Sequence, residues 1–204
     1  GLRTFDTTFF QAPGRMNVFN EHPFKVLFDY GHNAHAVSVM ADLAQRLDVT
    51  GRRIVVLAGP GDRRNEDLVA IADAVAGRFD HYICRRDDGL RGRDGDEVPR
   101  IQARALKDKG VPDSAISIIP DEQEAIDAAL RMGQPGDLIL IFADALVRSW
   151  KQIIKFRPEG AAPERVVAAA APVSKTIAED NSFAMMEGIS RDERGIFISR
   201  ESDD

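Results

Sequence analysis

Residues 25–34 read K-V-L-F-D-Y-G-H-N-A, and this stretch decides how the rest of the chain is interpreted. An apolar run ends abruptly at D-Y-G-H-N (29–33), and a pattern with helical spacing follows it. In an open α/β sheet, such a change marks the carboxyl end of a strand, where ligands bind. We therefore expect a buried strand, a ligand-binding corner and the beginning of a helix, in this order.

Beyond this stretch, apolar runs alternate with segments of helical spacing. Five strands, each followed by a helix, are predicted at residues 25–30, 53–58, 81–84, 116–119 and 138–142. The last of them is continuously apolar, as expected of a strand that is buried on both faces. The alternation predicts an α/β fold with a doubly wound, mostly parallel, Rossmann-like sheet.

Two of the helices have recognisable starting signals. Asn65 is expected to be the N-cap of the second helix. Asp121, with Glu124 three residues later, resembles a capping box at the start of the fourth helix.

The chain divides into three segments by composition. Residues 1–23, punctuated by proline and glycine, are typical of an extended N-terminal segment. Residues 24–158 contain the predicted α/β domain. Residues 159–204 are rich in alanine and proline and have an acidic C-terminal end, which is typical of a tail or an added segment. The sequence does not indicate the role of this segment. Its alternating apolar residues favour a strand within 194–200.

Composition excludes several classes of protein. Of the 204 residues, 44% are hydrophobic and 29% charged, as in a globular protein with a core. The single cysteine excludes an intrachain disulfide and fits a reducing cytoplasm. We see no signal peptide and no apolar run of roughly 18 to 20 residues, so no membrane partner is expected. A net charge of −6 without a basic stripe argues against binding to nucleic acid.

Because the chain opens on Gly1 and not on Met, we expect it to be part of a longer protein.

Two nucleotide-binding motifs are missing from the sequence. No G-x-x-x-x-G-K-[ST] occurs, so the chain has no Walker loop to hold phosphates. Gly59 and Gly61 begin a G-x-G-x-x-G pattern, but Arg64 stands where the third glycine belongs. A dinucleotide needs close backbone approach at this turn, so a hydride-transfer enzyme is not expected.

Three interpretations of the corner at 29–33 remain open. Asp29, His32 and His35 suggest a metal site, but their spacing crosses a strand-to-helix junction and lacks the i, i+4 pair of helical zinc sites. His32 and Asn33 can instead simply cap the helix. The third interpretation is contact with a nucleotide, because Asp29 can accept ribose hydroxyls and the Asn33 amide can lie against a purine.

Charged groups outside this corner have two interpretations each. Arg15 is either a phosphate-binding arginine or a surface arginine in a turn. The loop at 85–96 is either a solvated loop or, because it follows a strand on the same edge as Asp29, a site for a zwitterionic substrate. In the second case its arginines face carboxylates, and Asp87 or Asp88 faces a cationic group.

Together these segments resemble a known family. P-G-R-M-N (13–17) followed by D-Y-G-H-N (29–33) is similar to the C-terminal domain of Mur ligases, whose pattern is P-G-R and then D-Y-A-H-N-P. G-P-G-D-R-R-N-E-D (59–67), R-D-D-G-L-R-G-R (86–93) and R-S-W-K-Q-I-I (148–154) narrow the resemblance to the cyanophycin synthetase branch of that family. It covers roughly residues 1–158.

The resemblance implies the lid domain of an ATP-dependent amide ligase, in which ATP phosphorylates a carboxylate and an amine attacks the acyl phosphate. The implied substrates are arginine and a polyaspartate-type chain. The Walker loop and the Mg2+ ligands are implied to lie in an upstream central ATPase domain of the same chain, and a homo-oligomer of that longer chain is left open. The isolated domain is not expected to be active.

The resemblance also implies roles for individual residues. The nucleotide-binding residues are implied to be Arg15, Asp29, His32 and Asn33. The amino-acid substrate is implied to lie against Asp87, Asp88 and Arg91, with the two aspartates facing the guanidinium and Arg91 facing a carboxylate. No catalytic residue and no metal ligand is implied in this chain.

The sequence departs from the family pattern at two places. Gly31 and Ala34 replace an alanine and a proline, and residues 142–146 replace a G-K-G-H-E segment that some Mur ligases carry. The second departure favours the cyanophycin synthetase branch over the cell-wall branch. Two alternatives still stay open. One is a cell-wall Mur ligase or another amino-acid ligase; the other is a non-catalytic, flavodoxin-like module that binds a partner through its charged loops.

Overall fold

The computed structural model describes Phe9, residues 12–158, and the backbone of residues 189–192 and 195–198. The chain forms two compact units, residues 1–162 and residues 163–204.

The first unit contains six strands in one sheet, in the order β1-β2-β6-β3-β4-β5. β1 pairs antiparallel with β2, and the other pairs are parallel. The strands are β1 Asn17–Phe19, β2 Lys25–Asp29, β3 Arg53–Leu57, β4 His81–Cys84, β5 Ile116–Ile118 and β6 Leu138–Phe142. The doubly wound, mostly parallel sheet predicted from the sequence is confirmed.

The described residues contain five α-helices and one short 3-10 helix. The α-helices are α1 Ala34–Arg46, α2 Asn65–Asp73, α3 Glu97–Asp108, α4 Glu122–Met132 and α5 Leu146–Lys155, and the 3-10 helix is Asp113–Ala115. Among the described residues, no helix has the length and apolar character needed to cross a bilayer.

The core has one layer on each face of the sheet. Residues of α1, α2 and α3 pack on one face, and residues of α4 and α5 pack on the other. The β6 strand contributes to both layers: Leu138, Leu140 and Phe142 face the first, while Ile139 and Ile141 face the second. Burying both faces of β6 explains why its sequence is continuously apolar.

The position of β6 creates a crevice at the carboxyl edge of the sheet. The chain passes from β2 to β3 and outward to β5, then returns to insert β6 between β2 and β3. The loops after β2 and β3 lead to α1 and α2 on one face of the sheet, and the loop after β6 leads to α5 on the other face. These three loops therefore diverge around the end of β6. Ligands of open α/β sheets bind at such a reversal of strand order.

The helix starts agree with one of the two capping predictions. Asp121 is the N-cap of α4 and accepts a hydrogen bond of 3.0 Å from the Glu124 N–H. The prediction for Asn65 is wrong: Asn65 is the first residue of α2, and Arg64 is the N-cap without a side-chain capping bond. The Arg64 side chain pairs instead with Asp67, one turn into the helix.

The second unit contains an antiparallel pair, β7 Ile189–Asp192 and β8 Gly195–Ile198. The strand predicted within 194–200 coincides with β8. The rest of the predicted tail lies outside the described residues.

Candidate functional site

The corner after β2 is built around the Asp29 carboxylate. Asp29 is 8% exposed, and its Oδ1 accepts a hydrogen bond of 2.7 Å from the Gly31 N–H. Its Oδ2 accepts a bond of 2.8 Å from the Met16 N–H. The Tyr30 N–H also donates a hydrogen bond of 2.9 Å to the Gly14 oxygen, between the same two segments. The structure thus brings the P-G-R and D-Y-G-H-N segments into direct contact.

The turn at Gly14 depends on glycine. Its φ is +67°, and an added Cβ would lie 2.6 Å from a methyl carbon of Leu146 at the start of α5. The Gly14 N–H donates to the buried Asn17 side chain at 2.8 Å. The turn is therefore packed closely against the start of α5, and the exposed Arg15 follows it directly.

Arg15 itself is exposed, and it forms no ion pair with any described residue. A free guanidinium at the carboxyl edge of a parallel sheet suits phosphate oxygens, which it can bind with two parallel hydrogen bonds.

Asn33 is the N-cap of α1, and its side-chain oxygen accepts a bond of 3.0 Å from the Ala36 N–H. The capping interpretation of Asn33 is therefore observed, with the side chain still exposed. His32 packs against Tyr30 with ring centroids 5.1 Å apart. Its Nδ1 is buried and has no hydrogen-bond partner among the described residues. His35 is exposed on α1.

A cleft of about 110 Å³ opens beside His32 and Asn33, between the starts of α1 and α2. Arg63, which the sequence analysis did not single out, is exposed and lines it. Pockets that enclose a small molecule usually measure about 300–1,000 Å³. The cleft is therefore too small to enclose a nucleotide by itself.

The loop at 85–96 is anchored to the glycine loop after β3. Arg93 donates to the Gly61 oxygen at 2.7 Å and to the Arg63 oxygen at 2.6 Å, and it pairs with Glu97. A Cβ added at Gly61 would overlap the Leu90 carbonyl oxygen. The two loops therefore pack closely, and the segment is more than a solvated charge run.

The three predicted substrate residues of this loop differ in their surroundings. Asp88 is exposed and paired with Arg148 at 2.6 Å. Arg91 is exposed and paired with Asp62 at 2.9 Å. The Asp87 side chain, in contrast, has no hydrogen bond or ion pair with any described residue, although Asp87 is only 9% exposed.

The electrostatic surroundings of Asp87 link the two halves of the site. Burial raises its pKa, and the nearby Asp144 carboxylate raises it further. Arg85, Arg91 and His32 act in the opposite direction. The effect of His32 on Asp87 means that the corner after β2 and the loop after β4 lie near each other at the carboxyl edge of the sheet.

Beneath the loop lies a buried ion network that the sequence analysis missed. Arg85 and Glu122 are both fully buried, with Nη2 and Oε2 2.7 Å apart, and Arg85 also pairs with Asp144 at 2.8 Å. Burial alone would raise the pKa of Asp144, but its contacts with Glu122 and the charge of Arg85 lower it to about 2. Burial raises the pKa of Glu122. Glu122 and Asp144 lie 37 and 59 positions after Arg85, so no local pattern signals the network.

Cys84 at the end of β4 is a free, fully buried thiol. Burial raises its pKa to about 12, so the thiolate needed for nucleophilic chemistry does not form near neutral pH. Cys84 is therefore a buried strand residue and not a nucleophile.

Comparison with known proteins agrees with this geometry. Residues 14–145 match the model of the Mur ligase family's glutamate ligase domain. Cyanophycin synthetase from Trichormus variabilis (strain ATCC 29413 / PCC 7937) is 39% identical over 161 residues, which are 77% of this chain and 17% of that protein. The enzyme of the same name from Synechocystis sp. (strain ATCC 27184 / PCC 6803 / Kazusa) is 34% identical over 160 residues, or 78% of this chain and 18% of that protein. The chain thus spans less than a fifth of the length of these curated relatives.

Solved structures share the fold. A UDP-N-acetylmuramoyl-L-alanyl-D-glutamate–2,6-diaminopimelate ligase superposes with a TM-score of 0.55 at 23% identity, covering 71% of this chain and 32% of that one. E. coli FolC in complex with DHPP and ADP superposes with a TM-score of 0.54 at 22% identity, covering 70% and 31%. The family match covers more than half of the chain and includes the crevice described above. The chain therefore belongs to the Mur ligase family, and its residues 14–145 form the glutamate ligase domain of that family.

Proposed function

We propose that this chain is the C-terminal lid domain of an ATP-dependent amide ligase of the cyanophycin synthetase type. Such a ligase adds arginine to aspartate side-chain carboxylates. The observation that carries the proposal is the corner in which the Met16 N–H, next to Arg15, donates to the Asp29 carboxylate. The cleft beside His32 and Asn33, at the same corner, is too small to enclose a nucleotide. A lid that supplies one wall of a split ATP site needs this arrangement.

The residues at the corner fit the groups of ATP. Each Asp29 oxygen already accepts one backbone N–H, and each keeps a second lone pair for a ribose hydroxyl. Arg15 and Arg63 are exposed and available for phosphate oxygens. The unpartnered Nδ1 of His32 and the exposed side of Asn33 are the polar groups that would border the base.

Asp87 is the residue that we propose for the cationic group of the amino-acid substrate. Asp88 and Arg91, the other two candidates, are already occupied by Arg148 and Asp62. Asp87 is the one of the three whose charge is both buried and uncompensated by a direct partner, which is typical of a binding site. Asp88 and Arg91 are then proposed as the charged rim of the substrate site.

The proposed reaction has two steps. A carboxylate oxygen attacks the γ-phosphorus of ATP and ADP leaves, giving an acyl phosphate. The amine then attacks the acyl carbon, inorganic phosphate leaves, and the ammonium group loses a proton. Closing the lid excludes water from the acyl phosphate and brings donors to the transferring charge. The Walker loop and Mg2+ are proposed to belong to an upstream domain of the same cytoplasmic chain.

Amine-dependent ADP formation by the full-length ligase tests the proposal. With ATP and an aspartate polymer present, arginine should stimulate ADP formation more than diaminopimelate, alanine or glutamate. Stimulation by diaminopimelate instead would favour a cell-wall ligase. If no amine stimulates ADP formation, the non-catalytic module becomes the better explanation.

A further inference from the structure

The buried network under the 85–96 loop has no role in the proposed chemistry, yet its bonds end on that loop. Arg85 has five N–H donors, and all five have acceptors. Nε and Nη2 donate to the Phe142 oxygen, and Nη2 also reaches Glu122. Nη1 donates to Asp144 at 2.8 Å and to the Arg86 oxygen at 2.7 Å.

Glu122 joins the same network to the turn after β6. Its Oε2 accepts from the Asp144 N–H at 2.9 Å, and its Oε1 accepts from the Ala145 N–H at 3.3 Å and from the Ser149 hydroxyl. One buried carboxylate therefore ties the start of α4 to the start of α5.

Asp144 carries the network to the loop. Its Oδ1 accepts from Arg85, and its Oδ2 accepts from the Asp88 N–H at 3.1 Å. With the bond from Arg85 to the Arg86 oxygen, the backbone is held on both sides of Asp87. The Asp87 carboxylate itself is left without a partner among the described residues.

Stability alone is a weak reason for such a network. Removing the charged groups of Arg85 and Glu122 from water is costly, whereas the Asp144 side chain stays 24% exposed. Well-packed apolar side chains often replace a buried ion pair without loss of stability. What apolar side chains do not supply is a fixed backbone position at two specific residues of a surface loop.

We propose that Arg85, Glu122 and Asp144 form a positioning network that holds the backbone on both sides of Asp87 and so presets its carboxylate for the cationic group of the substrate. The inference rests on the proposed function, because it takes the substrate to be a cationic amino acid. The network acts through Asp87 and does not contact the substrate itself.

The full-length ligase with Asp144→Asn tests this role. An amide has one acceptor oxygen, so the variant keeps the bond to Arg85 or the bond to Asp88, but not both. We expect the KM for arginine to rise about tenfold, the KM for ATP to stay within about twofold, and amide exchange in the 86–91 segment to accelerate.

Asp137→Asn is the matched control. Asp137 lies just before β6, whereas Asp144 lies just after it, and Asp137 is 3% exposed. Its carboxylate accepts hydrogen bonds from the Arg52 N–H, the Arg52 guanidinium and the Gln134 N–H. It lies at the amino edge of the sheet, away from Asp87. Its replacement should lower the thermal unfolding temperature without changing either KM.

The inference is overturned if Asp144→Asn raises both KM values equally, if it changes neither, or if Asp137→Asn gives the same selective rise. The proposed function fails separately, when the unsubstituted ligase shows no arginine-dependent ADP formation. In that case amide hydrogen exchange still tests whether the network holds the loop. Unchanged exchange in the 86–91 segment of the Asp144→Asn variant would contradict the network.

Discussion

The Asp29 carboxylate accepts a hydrogen bond of 2.8 Å from the Met16 N–H, and this bond joins two sequence motifs 13 positions apart. Met16 has a φ of +50°, a left-handed conformation that is unusual for a residue with a side chain. The bond from Asp29 therefore holds an unfavourable backbone in place, and Asp29 shapes the corner as well as offering its lone pairs to a ligand.

Replacing Asp29 by alanine should reduce stability as well as ATP use. The buried Gly31 N–H and the partly buried Met16 N–H lose their acceptor, which costs about 1–3 kcal/mol for a group that water does not reach and less for one that it does. Chemical unfolding of the chain measures the loss. Asp42→Ala is the control, because Asp42 is half-exposed in a surface pair with Arg78 and should change the free energy of unfolding by less than about 1 kcal/mol. Equal effects of the two substitutions would contradict the role of Asp29 in the corner.

Gly61→Ala should displace the 85–96 loop, because the added methyl group would overlap the Leu90 carbonyl oxygen. We expect a loss of about 1–3 kcal/mol in the free energy of unfolding and a higher KM for arginine. Gly95→Ala is the matched control in the same loop, since an added Cβ there meets nothing within 4 Å. Its effect should stay within about 0.5 kcal/mol. A Gly61→Ala variant that behaves like Gly95→Ala would show that the loops are not packed as described.

The binding of a cationic amino acid should weaken as the pH falls, and do so above the usual range of an aspartate. Burial raises the pKa of Asp87, so its carboxyl takes up a proton earlier on acidification than an ordinary aspartate. The protonated form no longer attracts a guanidinium. The KM for arginine, measured against pH in the full-length ligase, should therefore rise toward acid.

Asp87→Asn should raise the KM for arginine at every pH and flatten this acid dependence. Asp88→Asn should leave the dependence in place, because Asp88 is paired with Arg148 at the surface. A pH profile that is unchanged in Asp87→Asn would remove Asp87 from the substrate site.

His22 should make the fold sensitive to acid. Its ring packs against Phe19, Phe24 and Phe156, and its Nε2 lies 2.8 Å from the Ile153 oxygen, to which it donates. Burial lowers its pKa in the folded state, so the unfolded state binds the proton more readily. The stabilisation from the neutral ring is therefore complete above the unfolded pKa of about 6.5. It is lost as the pH falls from there through the lower folded value.

Thermal unfolding between pH 7 and pH 5 checks this sign. The unfolding temperature of the unsubstituted chain should fall more steeply toward pH 5 than that of a His22→Phe variant. A steeper fall in the variant would mean that the charged form of His22 is the stabilising one.

Most of the sheet was predictable because burial on one or both faces leaves a local pattern. The run at 138–142 predicts β6 to the residue, since each position faces a helix layer. The three-residue β1 has no such pattern. It forms because the buried Asn17 side chain accepts from the Gly14 N–H and donates to the Ala12 oxygen, which fixes the turn before it.

The site was predictable where motifs lie at strand ends, and not where charges pair across the fold. The corner at Asp29 and the loop at Asp87 follow β2 and β4 directly, so the topology brings them to one edge. The partner of Arg85 depends on how α4 and the turn after β6 meet in space. The pairing of Arg148 on α5 with Asp88 depends on the tertiary fold in the same way.

The isolated 204-residue chain should not turn over ATP, because its cleft of about 110 Å³ is too small to enclose a nucleotide and its sequence has no Walker loop. ADP formation by the purified chain, measured with and without arginine, should equal the buffer blank. Turnover by the chain alone would mean that a complete ATP site lies within it.

Arginine-dependent ADP formation by the full-length ligase, compared between the unsubstituted protein and Arg15→Ala, is the decisive test of whether this corner binds ATP. Arg15 is exposed and forms no ion pair with a described residue, so its removal should leave the thermal unfolding temperature unchanged. If Arg15 binds phosphate across the split site, the variant should lose at least about tenfold in arginine-dependent kcat/KM for ATP. An Arg15→Ala ligase that keeps the unsubstituted rate would contradict the assignment of this corner to ATP.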